Sequence, residues 1–115
     1  MVVTAQAQRT RRTKRLGIAI LVAVRGTGAD GSLITERTKT VSINDHGALI
    51  TLSANVAEGS RLSIENKCTG EIRECRAVSV LPAAKQRFAV GVEFLQGTTG
   101  FWGLYFPPQS DTEQE

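Results

Sequence analysis

Turn-forming residues divide this 115-residue chain into short segments at near-regular intervals. Within the segments apolar and polar residues alternate, most clearly at Phe88, Val90, Val92 and Phe94. Alternation with a period of two is typical of a strand with one buried face, and no segment shows a convincing helical period. The pattern predicts an antiparallel all-β barrel or sandwich.

About six strands are expected, over residues 16–25, 37–43, 48–53, 61–65, 71–81 and 88–94. In the second strand Thr38, Thr40 and Ser42 share one parity, so Ile43 is expected on the opposite face. The turn NDHG, 44–47, joins the second strand to the third, and residues 82–86 turn the chain before the last strand. Residues 101–105 could form a short C-terminal helix, although Gly103 weakens it.

The apolar fraction of 41% and the charged fraction of 22% are ordinary for a soluble globular protein. We expect one domain over residues 9–106, which includes a basic leader at 9–15. The flanking residues 1–8 and 107–115 are expected to be flexible tails, the second of them acidic. The expected location is the cytoplasm.

Positive charge is concentrated near the start of the chain. The net charge is +3, but residues 1–25 contain six basic residues and no acidic one, so the remainder carries −3. The alternatives for this cluster are a secretion signal, a nucleic-acid arm, a solvated tail or a site for a small anion. A secretion signal is disfavoured because no cleavage motif follows the apolar run. That run is also far shorter than the ~20 residues that span a bilayer. Nucleic acid is disfavoured because few aromatic residues fall on the strands to stack bases.

Catalytic and metal-binding residues are sparse. Cys68 and Cys75 lack redox spacing and cannot by themselves form a four-ligand zinc site, so reduced thiols are expected. His46 is the single histidine and has no recognisable triad or ligand set around it. We therefore expect no enzyme activity, no metal and no cofactor.

Three motifs follow one another over nearly the whole chain. Arg11 and Arg15 form R-x-x-x-R, TVSINDHGALITL carries a turn that ends in Gly47, and VGVEF forms the last strand. In this order they resemble the PilZ domain family, the bacterial cyclic di-GMP receptor modules. The resemblance implies a six-stranded antiparallel β-barrel and a non-catalytic receptor that signals through a partner protein.

The resemblance also implies the ligand site, at Arg11, Arg12, Arg15, Ser42, Asn44 and Gly47. Guanidinium groups can bind phosphate bidentately, bind guanine O6 and N7, and stack on a purine. The turn departs from the family pattern (D/N)-x-S-x-x-G, because Ser42 stands where the family prefers Asp or Asn, and Asn44 where it prefers Ser. Cyclic di-GMP binding is therefore expected to be weakened. The alternative is a PilZ-like domain that has lost the ligand and acts as a protein-interaction adaptor.

The adaptor alternative assigns partner contact to an aromatic segment near the C-terminus. Its four aromatic residues are Phe101, Trp102, Tyr105 and Phe106. They are expected either to plug one end of the barrel or cover its side, or to form an exposed patch that docks a partner protein.

Overall fold

The structure, a computed structural model, describes residues 15–96 and 100–104. Six strands are present: β1 Leu21–Thr27, β2 Leu33–Asn44, β3 Gly47–Leu52, β4 Arg61–Asn66, β5 Ile72–Ala83 and β6 Arg87–Phe94. Neighbouring strands are antiparallel and close in the order β1-β2-β3-β6-β5-β4. The six-stranded antiparallel barrel expected from the sequence is confirmed. The expected domain limits at 9 and 106 lie outside the described residues.

The alternating side chains of the strands form the core. Val22 and Val24 of β1 and Val90, Val92 and Phe94 of β6 are all buried, as the period of two predicts. The other buried apolar side chains are Ile34, Ile43, Ile50, Leu52, Val56, Leu62, Ile64, Cys75, Ala77, Phe101 and Trp102. No helix within residues 15–96 and 100–104 is long and apolar enough to cross a membrane.

The first strand begins at Leu21, later than the predicted residue 16. The Thr40 hydroxyl donates to the Ile18 carbonyl at 2.6 Å and accepts from the Ile20 amide at 2.8 Å. The Thr40 side chain thus replaces backbone-to-backbone hydrogen bonds that a continuous strand would form with β2. Residues 15–20, here called the entry segment, therefore follow β2 without forming a continuous strand. The Leu16 amide and carbonyl bond those of Ile43 at 2.8 and 2.9 Å, which fixes the start of the segment.

A bulge in β2 corrects the predicted alternation of this strand. The pairing register with β3 shifts between Thr40 and Ser42, so Val41 is an additional residue. Thr38 and Thr40 are buried before the bulge and Ile43 is buried after it. The prediction that Ile43 faces away from Thr38 and Thr40 was wrong, because one extra residue reverses the parity of everything that follows.

The aromatic segment closes one end of the barrel. Phe101 and Trp102 are buried and pack edge to face at 4.7 Å, with Phe94 5.0 Å from Phe101. The Asn66 amide donates to the Phe101 carbonyl, and Trp102 Nε1 donates to the Asn44 carbonyl, each at 2.9 Å. The plug is confirmed for these two residues, whereas Tyr105 and Phe106 lie outside the described residues.

The short helix predicted at 101–105 is absent over its described part. Residues 100–104 form a turn followed by bends. Gly100 and Gly103 have φ values of +84° and +72°. These left-handed conformations interrupt a right-handed helix at both positions.

Candidate ligand-binding cleft

The turn between β2 and β3 is held by its own first residue. Asn44 Oδ1 accepts hydrogen bonds from the His46 amide at 2.9 Å and the Gly47 amide at 3.0 Å. This is the local side-chain to backbone pattern that makes asparagine a favoured turn residue. Asn44 is buried, and its carbonyl accepts the bond from Trp102. The turn is therefore fixed both from within and from the core.

Gly47 allows β3 to approach β6 closely. A Cβ atom at this position would lie 1.9 Å from the Val92 carbonyl oxygen and 2.9 Å from its carbonyl carbon. The φ of Gly47 does not fall in the left-handed region. Glycine is therefore needed here for the close approach of the two backbones and not for a left-handed conformation.

A cleft of about 290 Å³ opens beside this turn. Its walls come from the entry segment, β2, the turn, β3, β5 and β6. The residues that line it are Arg15, Ser42, Ile43, Asn44, His46, Gly47, Ala48, Val78, Val92 and Glu93. Small-molecule sites span about 300–1,000 Å³, so the cleft has room for part of a cyclic dinucleotide.

Arg15 reaches this cleft because the entry segment follows β2. The pair of hydrogen bonds between Leu16 and Ile43 places Arg15 next to the C-terminal end of β2. Its side chain is exposed and forms no ion pair with another described residue. The guanidinium is therefore available to an anion in the cleft.

Ser42 and Asn44 differ in how much hydrogen-bonding capacity they retain. Within the described part of the chain the Ser42 hydroxyl has no hydrogen-bond partner, so it can serve a ligand. Asn44 Oδ1 already accepts two backbone bonds. Asn44 therefore shapes the cleft mainly by holding the turn, and its Nδ2 group is what remains for a ligand.

The structure brings together four of the six predicted site residues. Arg15, Ser42, Asn44 and Gly47, which come from two separate motifs, line one cleft. The remaining two, Arg11 and Arg12, lie outside the described residues.

Two polar lining residues, His46 and Glu93, were not among the site residues predicted from the sequence. His46 lies in the turn, where its amide donates to Asn44 and its carbonyl accepts from Phe94 at 2.8 Å. Glu93 is exposed on β6 and pairs in register with Gly47 of β3. The pairing of β3 with β6 is what places Glu93 at the cleft, and no local sequence pattern indicates that pairing.

The two thiols lie away from this cleft. Cys68 is exposed, Cys75 is buried, and both are free. Burial, with a smaller contribution from the neighbouring Glu74 charge, raises the pKa of the Cys75 thiol to about 12. No group of three or more His, Cys, Asp or Glu side chains in the described ranges could hold a metal ion.

Comparison with known proteins supports the fold. No family model matches the chain, and no curated protein matches it. Among solved structures, the PilZ domain of CeSA from a cellulose-synthesizing bacterium matches with a TM-score of 0.52 and 24% sequence identity. The match covers 74% of this chain and 84% of the other. The barrel has the PilZ fold.

The resemblance seen in the sequence motifs is thus confirmed for the PilZ-like architecture. Sequence identity of 24% shows a shared fold, and function must be argued from the residues of the cleft.

Proposed function

We propose that this PilZ-like barrel is a non-catalytic receptor domain that binds cyclic di-GMP in the cleft beside the β2–β3 turn. The observation that supports it is the convergence of Arg15 with Ser42, Asn44 and Gly47 around one opening. The entry segment and the turn are separate in sequence, and the barrel fold gives them a common site.

The cleft has suitable chemistry for part of such a ligand. The Arg15 guanidinium can bind a phosphate through two parallel hydrogen bonds or stack on a purine. The Ser42 hydroxyl and the Asn44 Nδ2 group can bond polar base atoms. The ligand is larger than the cleft, so the remainder would contact Arg11 and Arg12, as the family resemblance implies.

A receptor of this kind needs a further protein to produce an output. The proposed ligand would meet the entry segment directly, because Arg15 belongs to this segment and lines the cleft. We therefore propose that binding changes the surface around this segment and that a partner protein in the bacterial cytoplasm recognises the change.

The second candidate is a PilZ-like adaptor that does not bind the ligand. It is favoured by the uncharged Ser42 side chain and by the use of Asn44 Oδ1 inside the turn. It is weakened by the burial of Phe101 and Trp102, which removes half of the aromatic patch proposed for partner contact.

Isothermal titration calorimetry tests the proposal. Cyclic di-GMP is titrated into the wild-type chain and into the double variant Arg11→Ala/Arg15→Ala. A charge-assisted hydrogen bond contributes about 1.5–3 kcal/mol, so each arginine that bonds a phosphate should account for about a 10- to 150-fold change in affinity. We expect micromolar or tighter binding by the wild type and no measurable binding by the variant.

The matched control is Arg25→Ala/Arg37→Ala. It removes the same charge from exposed positions on β1 and β2 that do not line the cleft, and we expect wild-type affinity. Absence of heat from the wild type would refute the receptor proposal and favour the adaptor. A pull-down of interacting proteins with the wild-type chain would then be the next experiment.

A further inference from the structure

The cleft contains charges of both signs. Arg15 of the entry segment contributes a guanidinium and Glu93 of β6 contributes a carboxylate, and both residues line the cleft. Arg76 of β5 is the register partner of Glu93, yet no ion pair in the described residues involves the Glu93 carboxylate. Both of its oxygens are therefore available to a ligand.

An exposed carboxylate is unfavourable beside a phosphate, because like charges repel. It is favourable beside a group that presents two hydrogen-bond donors, because an ionised carboxylate accepts through both oxygens. Guanine presents two adjacent donors, N1–H and the N2 amino group. Adenine presents an acceptor at N1 and a donor only at N6, so it cannot satisfy both carboxylate oxygens in this way.

The turn itself lacks a negative charge. Ser42 is neutral, and Asp45 does not line the cleft. Glu93 is the acidic residue among those that do line it. Its position is fixed by the antiparallel pairing of Gly47 with Glu93, the same pair in which Gly47 permits close approach of the two backbones.

We propose that Glu93 is the specificity-determining residue of the cleft and binds the N1–H and N2 donors of a guanine base. The carboxylate then comes from β6, while Arg15 of the entry segment binds the phosphate or stacks on the base. This inference rests on the proposed function, and it adds a reason for the cleft to prefer guanine over adenine.

Glu93→Gln changes one oxygen to an amino group and keeps the shape of the side chain. It removes one acceptor for guanine and provides the acceptor and donor pair that matches the N6 and N1 atoms of adenine. A site built to hydrogen-bond one base discriminates through the polar groups that the wrong base leaves unpaired. We expect this variant to lose about tenfold or more in affinity for cyclic di-GMP, the lower end for a charge-assisted bond at an exposed position.

The experiment is calorimetric titration of cyclic di-GMP and cyclic di-AMP into the wild type, Glu93→Gln and Glu93→Ala. We expect the wild type to prefer cyclic di-GMP, both variants to lose that preference, and Glu93→Gln to bind cyclic di-AMP at least as well as the wild type does. The matched control is Glu74→Gln, which neutralises an exposed glutamate on β5 that does not line the cleft. It should keep the wild-type preference.

The outcomes separate the two proposals. Variants that bind both ligands with the wild-type ratio would overturn the role of Glu93 and leave the receptor proposal intact. Tighter binding of cyclic di-GMP by Glu93→Ala would also overturn it, because the carboxylate would then only repel phosphate. A wild-type chain that binds neither ligand would overturn both proposals.

Discussion

Replacing Gly47 with alanine tests whether this glycine is needed for the pairing of β3 with β6 and for barrel stability when no ligand is bound. The added Cβ would lie 1.9 Å from the Val92 carbonyl oxygen, and the two other nearest atoms, at 2.9 and 3.1 Å, are also backbone. No side-chain rotation can relieve these contacts. Observed Cβ contacts essentially never fall below 3.0 Å, so β3 and β6 must separate locally by about 1 Å.

The size of the effect follows from the hydrogen bonds that this movement breaks. Donor and acceptor atoms in the ladder lie about 2.9 Å apart, and a further 1 Å exceeds hydrogen-bonding distance. Two ladder bonds next to Gly47, at about 1 kcal/mol each, and the residual overpacking give a loss of about 2–4 kcal/mol in the free energy of unfolding. For a domain of this size that is a fall in Tm of about 10 °C or more.

The assay is thermal and urea unfolding followed by circular dichroism, without ligand. Gly17→Ala is the matched control, because a Cβ at Gly17 meets no atom within 4 Å and its φ is not left-handed. We expect the control to lie within about 0.5 kcal/mol of the wild type. A Gly47→Ala chain that unfolds at the wild-type temperature would refute the argument from backbone approach.

Two further predictions concern the thiols and the entry segment. Because the pKa of Cys75 is raised from 9.0 to about 12, its protonated form stabilises the fold below pH 9, and this contribution is lost as the pH rises toward 12. A thiol reagent at pH 8 should modify Cys68 alone in the native chain and both cysteines in urea. Modification of both in the native chain would contradict the burial of Cys75. Thr40→Val removes the hydroxyl that bonds Ile18 and Ile20, so it should lower the free energy of unfolding by about 1–3 kcal/mol and weaken cyclic di-GMP binding. Thr35→Val, at an exposed position on the same strand, should change neither, and an unchanged affinity in Thr40→Val would show that the Thr40 hydroxyl bonds do not position Arg15.

The strands could be predicted because their information is local. Residues 88–94 alternate without interruption and lie in β6 as expected, and the turn that ends in Gly47 lies where its asparagine and glycine place it. Strand ends were less predictable. Leu16 is apolar, so the sequence predicts that β1 begins there. The Thr40 hydroxyl instead hydrogen-bonds the Ile18 carbonyl and the Ile20 amide, and β1 begins later.

The bulge at Val41 shows why the site was harder to predict than the fold. One additional residue between Thr40 and Ser42 reverses the faces of everything after it. No feature of the sequence marks that residue, since threonine, valine and serine are all acceptable in a strand. The contribution of Glu93 was unpredictable for a related reason, because it depends on the pairing of two strands that are far apart in the sequence.

Two parts of the cleft, the β2–β3 turn and the entry segment, are held by different hydrogen bonds, and this bears on how a bound ligand could be sensed. Hydrogen bonds to Asn44 from His46, Gly47 and buried Trp102 fix the turn. The entry segment is held by the pair between Leu16 and Ile43, by the bond from the Thr40 amide to the Ile20 carbonyl and by the Thr40 hydroxyl.

A ligand that bonds Arg15 adds contacts to the entry segment, whereas Asn44 Oδ1 in the turn already accepts two backbone amides. Its free energy of binding would therefore stabilise the entry segment more than the barrel. Hydrogen exchange with and without cyclic di-GMP should show added protection at Ile18 and Ile20, with the buried amides of β6 unchanged. Equal protection throughout the barrel would mean that the ligand stabilises the whole domain, and a partner would then have no local change to recognise.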